Sequence, residues 1–281
     1  MDDAIRLLHI SDTHWSSEPI APGIDSRSRL DALCDWIQAF SDPIDFIAHT
    51  GDWVHRGHIA SDPGRSTQEA WRRLAKLGIP ILTAVGNHDN RKTLSECMLE
   101  SLPSHLKIQC IHAHPDRLDY WFSLDRGNLA QESFLVLDAR GAQEIDPRGE
   151  LSEQQIVAIE ELFRRDPSRT WTIFLHYPPI ALDCDWIDRT MLIQNGERLH
   201  AVFSANSYRI RGVFFGHIHR PICCLRDGVL YASTGSTAMH FPNLPGATQA
   251  VMQSDPVAFA NYIRINNSGA LVKTQWTSHS I

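Results

Sequence analysis

Five short apolar runs in this chain each stop at a side chain able to bind a metal. No other feature narrows the fold as much. "IRLLHI" (5–10) leads to Asp12 and His14, and "DFIAHTGD" (45–52) ends at Asp52. "IPILTAVGNHD" (79–89) ends at Asn87, His88 and Asp89. "TWTIFLHYPP" (170–179) carries His176, and "GVFFGH" (212–217) runs into His217 and His219. Short apolar runs bounded by turn signals read as buried strands, and in open α/β sheets sites gather at strand carboxyl ends. Each position alone has a plainer reading. Asp12 could cap the next segment, Asp52 after Gly51 could be a turn residue, Asn87 could hold a left-handed turn, and His176 could be a satisfied histidine beside Pro178. Five such coincidences in a row are the weaker explanation.

The segments between these runs set the architecture. "SRLDALCDWIQAF" (28–40) and "STQEAWRRLAKLG" (66–78) have helical spacing, the second with Ser66 and Glu69 in capping-box register and Gly78 as its stop. Strand, helix, strand, helix, strand implies a parallel sheet. The second half adds strands at 120–124 and 133–139, a helix at 152–165 with Ser152 and Gln155 in capping-box register, and a helix at 195–205. The tail, "VLYASTG", "ANYIRI" and "LVKTQW", reads as strands without helices. No repeat, low-complexity segment or linker interrupts the chain. The expected fold is α/β: a four-layer sandwich over residues 1–281 as one domain, two mixed sheets face to face with helices outside, and a metal site at the C-terminal ends of strands.

Composition excludes several functions. The net charge is −7 and no lysine/arginine run occurs, which argues against a nucleic-acid or lipid-surface binder. A small phosphorylated substrate stays open, because bound cations dominate a local field. "MDDAIRLLHISDTHW" is not a secretory signal, and no stretch of 18 or more apolar residues predicts a membrane span. The six cysteines form no CxxC, and adjacent Cys223 and Cys224 suit the two faces of a strand. Reduced thiols, mostly in the core, are expected in a cytoplasmic protein.

The ordered set resembles the calcineurin-like metallophosphoesterase superfamily, whose pattern is D-x-H, G-D, G-N-H-D/E, a lone H, and G-H-x-H. It stands here as Asp12-Thr13-His14, Gly51-Asp52, Gly86-Asn87-His88-Asp89, His176 and Gly216-His217-Ile218-His219. The resemblance implies that Asp12, His14, Asp52 and His219 hold a first metal and that Asp52, Asn87, His176 and His217 hold a second. Asp52 would bridge them. Mixed nitrogen and oxygen donors suit Fe, Mn, Zn or Co. Two ions about 3.5–4 Å apart would clamp an in-line displacement, with a metal-bound hydroxide attacking a phosphodiester and no phospho-enzyme. His88 would contact the phosphate and help the leaving oxygen depart. One departure stands out. "GDWVHRG" (51–57) is similar to the G-D-x-V-D-R-G of Ser/Thr protein phosphatases, but His55 replaces the aspartate that orients the catalytic histidine there. The sequence leaves open what orients His88, with Asp89 its chain neighbour, and Arg56 reads more simply as a solvated loop residue than as a phosphate ligand.

Residues 175–203 and 219–241 are similar to bacterial class III cyclic-nucleotide phosphodiesterases and glycerophosphodiesterases. This implies a small phosphodiester substrate, cyclic AMP first and a glycerophosphodiester close behind, in a homo-oligomeric enzyme with no nucleic-acid or membrane partner. Trp15 either stacks on a base or packs in the core. His240 resembles a substrate-contacting position, and Tyr177 reaches the phosphate or fills space. His49, His55, His58, His112 and His114 read as loop or surface histidines. The same centre would also serve a phosphomonoesterase, a nucleotide-pyrophosphate hydrolase or a nuclease. A non-catalytic scaffold is the competing class.

Overall fold

Alternation of buried strands with amphipathic helices builds two sheets in the computed structural model, which describes residues 4–57, 64–111, 117–124, 129, 131–142, 145–253 and 257–278. The first half runs β1 (Ile5–Ile10), α1 (Ser26–Gln38), β2 (Phe46–His49), α2 (Arg65–Ala75), β3 (Ile81–Thr83) and α3 (Arg91–Ser101). Strands β1, β2 and β3 are parallel neighbours. The two tail strands, Val257–Asn266 and Gly269–Ser278, are the last of the twelve, β11 and β12. They extend this sheet antiparallel, giving the order β12-β11-β1-β2-β3. The second sheet holds β4 (Gln109–Cys110), β5 (Tyr120–Ser123), β6 (Glu132–Leu137), β7 (Thr170–Leu175), β8 (Ile210–Phe215), β9 (Ile222–Arg226) and β10 (Val229–Ser233). Its order is β4-β5-β6-β7-β8-β10-β9, with β6, β7, β8 and β10 parallel.

The sheets meet face to face through aromatic rings. Phe46 of β2 lies 4.9 Å from Phe134 and 5.3 Å from Phe122, ring centre to ring centre. Leu30, Leu33, Trp71, Leu74, Leu94 and Met98 of α1–α3 belong to the same buried cluster. A second cluster covers the other sheet's outer face. There Leu135, Ile173 and Leu175 pack on Ile156 and Ile159 of α4 (Glu153–Arg165) and on Leu199 and Phe203 of α6 (Gly196–Ser204). The short helix α5 (Asp185–Thr190) precedes α6 and adds Trp186. Four layers with mixed sheets inside is the expected α/β sandwich.

Local details correct three expectations. The Ser152–Gln155 capping box forms, with both reciprocal bonds. The Ser66–Glu69 pair does not cap its helix: α2 begins one residue earlier, after Gly64 in the left-handed region (φ 88°), so Ser66 already lies in the first turn. The cysteines are all unpaired, but only Cys184 is buried, and Cys110 and Cys223 are exposed. Adjacent Cys223 and Cys224 do point to opposite sides of β9 because side chains alternate along a strand. His49 is buried and stacked on Trp53 at 3.9 Å, not superficial. His58, His112 and His114 lie outside the described residues. Among the described residues no helix is long and apolar enough to cross a membrane.

Candidate metal centre

The carboxyl ends of β1, β2, β3, β7 and β8 open onto one point between the sheets, and the loops leaving them carry the seven donors read from sequence. Their backbones are unusual. Asp12 (φ 53°), His14 (φ 42°), Asp52 (φ 55°), His217 (φ 70°) and His219 (φ 58°) are all left-handed. Such conformers cost about 1–3 kcal/mol each and persist where the surroundings over-determine them. Two glycines allow the loops to close. A Cβ on Gly216 would stand 1.9 Å from Ser11 Oγ and 2.6 Å from Asp12 Oδ2. One on Gly86 would stand 2.1 Å from Asp52 Oδ1.

Main-chain hydrogen bonds lock the loops together. The N–H groups of Asp12 and His14 donate to the carbonyls of Gly51 and Asp52, each at 3.0 Å. The His217 N–H donates to Asp12 Oδ2 and the His88 N–H to Asp52 Oδ1, both at 2.9 Å. Asp89 binds three backbone N–H groups, those of Asp52, Trp53 and Gly86, at 2.8–2.9 Å. Burial, reinforced by nearby Asp52, pushes its carboxyl up to about 6.

The donor atoms converge. His14 Nε2 lies 3.1 Å from His219 Nε2, 3.5 Å from Asp52 Oδ2 and 3.9 Å from Asp12 Oδ1, and His219 Nε2 lies 3.3 Å from Asp12 Oδ1. On the other side His176 Nε2 lies 3.3 Å from Asp52 Oδ2. Asp12, His14, Asp52 and His219 form one group and Asp52, His176 and His217 a second, with the ligand atoms of each group within 4.8 Å of one another and Asp52 common to both. Asn87 stands beside them, 8% exposed.

The imidazoles are aimed by carbonyls. His176 Nδ1 sits 2.7 Å from the Thr50 carbonyl and His219 Nδ1 2.9 Å from the Met239 carbonyl, so each donates there and turns Nε2 toward the cluster. His217 is reversed: its Nε2 donates to the Pro147 carbonyl at 2.8 Å, which turns Nδ1 toward the cluster. Burial holds His14 well below the usual histidine range and lowers His217 to about 3, the neutral form that metal binding requires. At His176 burial again opposes charge, but the Asp52 carboxylate overrides it and raises the imidazole to about 9. Burial likewise opposes ionisation of Asp52, yet the facing His176 holds its carboxyl well below the usual range.

Residues and chemistry fit bound cations. Asp12 Oδ1, Asn87 Oδ1 and His176 Nε2 are buried with no hydrogen-bond partner among the described residues. Unsatisfied buried polar atoms are costly, and a cluster of them calls for a ligand. His219 Nε2 faces the His14 ring nitrogen at 3.1 Å and an Asp12 carboxylate oxygen at 3.3 Å, a mixed donor set of the kind that holds a cation.

The structure also shows what aims His88. Its Nδ1 lies 2.6 Å from the carbonyl oxygen of His55, so the main chain takes the place of an orienting carboxylate. Asp89, the neighbour in sequence, is instead spent on backbone N–H groups. The His55 ring stacks on His88 (15° between planes) and lines the cavity. It is therefore not a plain loop histidine, and its place directly after Gly51-Asp52-Trp53-Val54 was the available signal. Trp15 is not brought to the cavity: it is 3% exposed and packs in the core, its backbone bridged to Val54. His240 is fully buried behind His219, Nδ1 3.1 Å from the His219 carbonyl, with Phe259 against its ring. A cavity of about 290 Å³ opens over the cluster, walled by Trp186, Met191, Met239, Phe241 and Met252. Nothing in the sequence marked this apolar wall, because its residues come from helix α5 and its C-cap and from the segment between β10 and β11, about fifty residues further along the chain.

Comparison with known proteins agrees with this geometry. The sequence profile for the calcineurin-like phosphoesterases matches residues 5–221. A probable cyclic nucleotide phosphodiesterase of Vesicomyosocius okutanii is 24% identical over 96% of this chain and 98% of its own. The 3′,5′-cyclic adenosine monophosphate phosphodiesterase CpdA of Escherichia coli K12 is 25% identical over 84% of this chain and 78% of its own. Among solved structures, a dimetal phosphatase from Danio rerio superposes with TM-score 0.68 at 15% identity, covering 98% of this chain and 99% of that one. GAP50, an anchor in the inner membrane complex of Plasmodium, superposes at 0.63 with 13% identity, covering 98% and 84%. These two likenesses concern the fold, which does not by itself dictate activity. With the family profile covering most of its length and the ordered motifs gathered at one point, this chain belongs to the calcineurin-like phosphoesterase family.

Proposed function

We propose that this protein is a dinuclear phosphodiesterase that hydrolyses a small phosphodiester, with a 3′,5′-cyclic nucleotide as its first substrate class. The observation that carries this reading is the gathering of seven candidate donors from five strand ends, five of them lining a cavity with an aromatic and thioether wall. Asp12, His14, Asp52 and His219 would hold one ion, and Asp52, Asn87, His176 and His217 the other. When bound, such a pair supplies Lewis-acid charge for an in-line displacement at phosphorus. The mixed donors favour Fe, Mn, Zn or Co over Mg or Ca.

The chain's own residues do the rest. His88, with Nδ1 held by the His55 carbonyl, lines the cavity, where its ring would donate a hydrogen bond or proton to the departing oxygen. Asn87, if its Oδ1 ligates, has its amide N–H left for a phosphate oxygen. The wall of Trp186, Met191, Phe241 and Met252 excludes water and suits a flat apolar group such as a nucleobase. That wall favours a cyclic nucleotide over a glycerophosphodiester, whose alcohol is small and polar. The names of the relatives point the same way. Six unpaired thiols favour a reducing compartment, and we place the enzyme in the cytoplasm.

The test is initial rate with Mn²⁺ on cyclic AMP, glycerophosphoethanolamine, bis(p-nitrophenyl) phosphate and p-nitrophenyl phosphate. Turnover of the diesters that EDTA abolishes, with cyclic AMP the faster natural substrate, is expected. Faster glycerophosphoethanolamine would move the assignment to the alternative diester. No turnover from protein shown to hold two metals would favour a scaffold of the same fold.

A further inference from the structure

A second recess of about 190 Å³ adjoins the metal centre, and Asn87 lines both. Its character is opposite to the apolar wall. Among the described residues it is bounded by Arg140, Arg148, Tyr177 and Asp146 around Asn87, two guanidiniums against one carboxylate. The frame is built, not incidental. Arg140 follows β6 and forms a backbone bridge with Gly149, which bridges in turn to Ile193. The Gly149 N–H donates to the Leu192 carbonyl at 3.2 Å and the Glu150 N–H to the Ala139 carbonyl at 2.7 Å. Tyr177 packs against Gly149 so closely that a Cβ there would stand 2.8 Å from its ring. The same segment reaches the metal centre, since the Pro147 carbonyl accepts from His217 Nε2.

The donors in this recess are largely unspent. Arg140 Nη1 donates to the Asp89 carbonyl, which ties the recess to the Gly86–Asp89 loop. Its other nitrogens have no partner among the described residues. The Arg148 guanidinium and the Tyr177 hydroxyl likewise make no hydrogen bond there. Two planar guanidiniums and a phenol, with one carboxylate among the described residues, are the chemistry that recognises an oxyanion.

We infer that this recess is a second anion subsite, and that the preferred substrate carries another phosphate or carboxylate beside the scissile diester. The inference rests on the phosphodiesterase reading for the place of the scissile group. It deepens that reading: within the cyclic-nucleotide class, a diester bearing a second anion is preferred over cyclic AMP itself. The reacting phosphate would sit at the Asp12–His219 and Asp52–His217 donor groups, its apolar substituent against Trp186 and Phe241, and its second anion between Arg140 and Arg148.

Calorimetric titration of the Mn²⁺-loaded full chain tests this with AMP, ADP and adenosine 3′,5′-bisphosphate. At least one doubly phosphorylated probe is expected to bind about tenfold or more tightly than AMP, the size of one hydrogen bond between charged groups. Arg148→Gln, an exposed position, is expected to remove most of that advantage, and Arg140→Gln to do the same. Lys273→Gln, on β12 of the other sheet, is expected to keep it. If neither probe exceeds AMP by about tenfold, or if the advantage survives Arg148→Gln, the subsite does not exist and the arginines are solvated loop residues. Turnover of bis(p-nitrophenyl) phosphate is read separately. Its absence would refute the phosphodiesterase reading without touching the binding ratio.

Discussion

Left-handed backbone at Asp12, His14, Asp52, His217 and His219 is the residue-scale signature of this protein. Aspartate and histidine tolerate that region better than most residues, yet five instances at one point are a concentrated local cost. The donors are held by neighbours, not by preference, and His88 shows how. Its Nδ1 is engaged by a main-chain carbonyl, which a change of side chain at position 55 does not delete. His88→Ala is expected to retain both metals by elemental analysis while turnover falls about 10²- to 10⁴-fold, the range for loss of a general acid. Unchanged turnover would remove His88 from the mechanism.

Strand ends are the unit that builds the site. Asp12 follows a strand of the five-stranded sheet and His217 a strand of the seven-stranded sheet, and the His217 N–H···Asp12 Oδ2 bond joins them at 2.9 Å. Gly216 stands at that seam with no room for a Cβ. Gly216→Ala is expected to leave the circular dichroism spectrum native but to weaken metal binding by about 10- to 100-fold, as loss of a supporting contact does. Metal affinity equal to wild type would show that the two loops are not rigidly coupled. Elements also show how far spacing can be read. Ser152–Gln155 and Ser66–Glu69 share one pattern, but only the first serine occupies the extended position before its helix. Capping depends on backbone conformation at that residue, which spacing does not specify.

At the scale of the molecule, the two sheets enclose polar groups whose charge state matters for stability. His9, in β1 and fully buried, faces Phe174 and Phe214 across the interface. Its Nδ1 lies 3.2 Å from Asn261 Nδ2 and its Nε2 2.9 Å from Thr50 Oγ1, which satisfies the neutral ring. Burial lowers His9 to about 3, against the weaker pull of Asp12, and burial lowers His49 to about 3 as well. Between pH 6.5 and 3 the unfolded chain therefore binds protons that the folded chain refuses, so stability rises with pH and falls on acidification. Each such histidine contributes a slope of about 1.4 kcal/mol per pH unit in that window. Urea unfolding at pH 7, 6 and 5 should show this loss, and His9→Gln should reduce the slope by about that amount. An unchanged slope would mean that His9 takes up a proton in the folded protein.

How much of this was legible follows from what each feature depends on. Sequence by itself determined the strand ends, the seven candidate donors and the family resemblance, because short continuous apolar runs and ordered motifs are local properties. It also predicted two mixed sheets, since helices alternate with strands only in parts of the chain. Tertiary structure alone decided what aims His88, because a carbonyl carries no residue identity. It alone sent Trp15 into the core and brought His55 to the cavity. The apolar wall and the Arg140–Arg148 recess are assembled from segments distant in sequence. Their chemistry exists only once two sheets pack and bring those segments to one end, an outcome of long-range burial that no local pattern encodes.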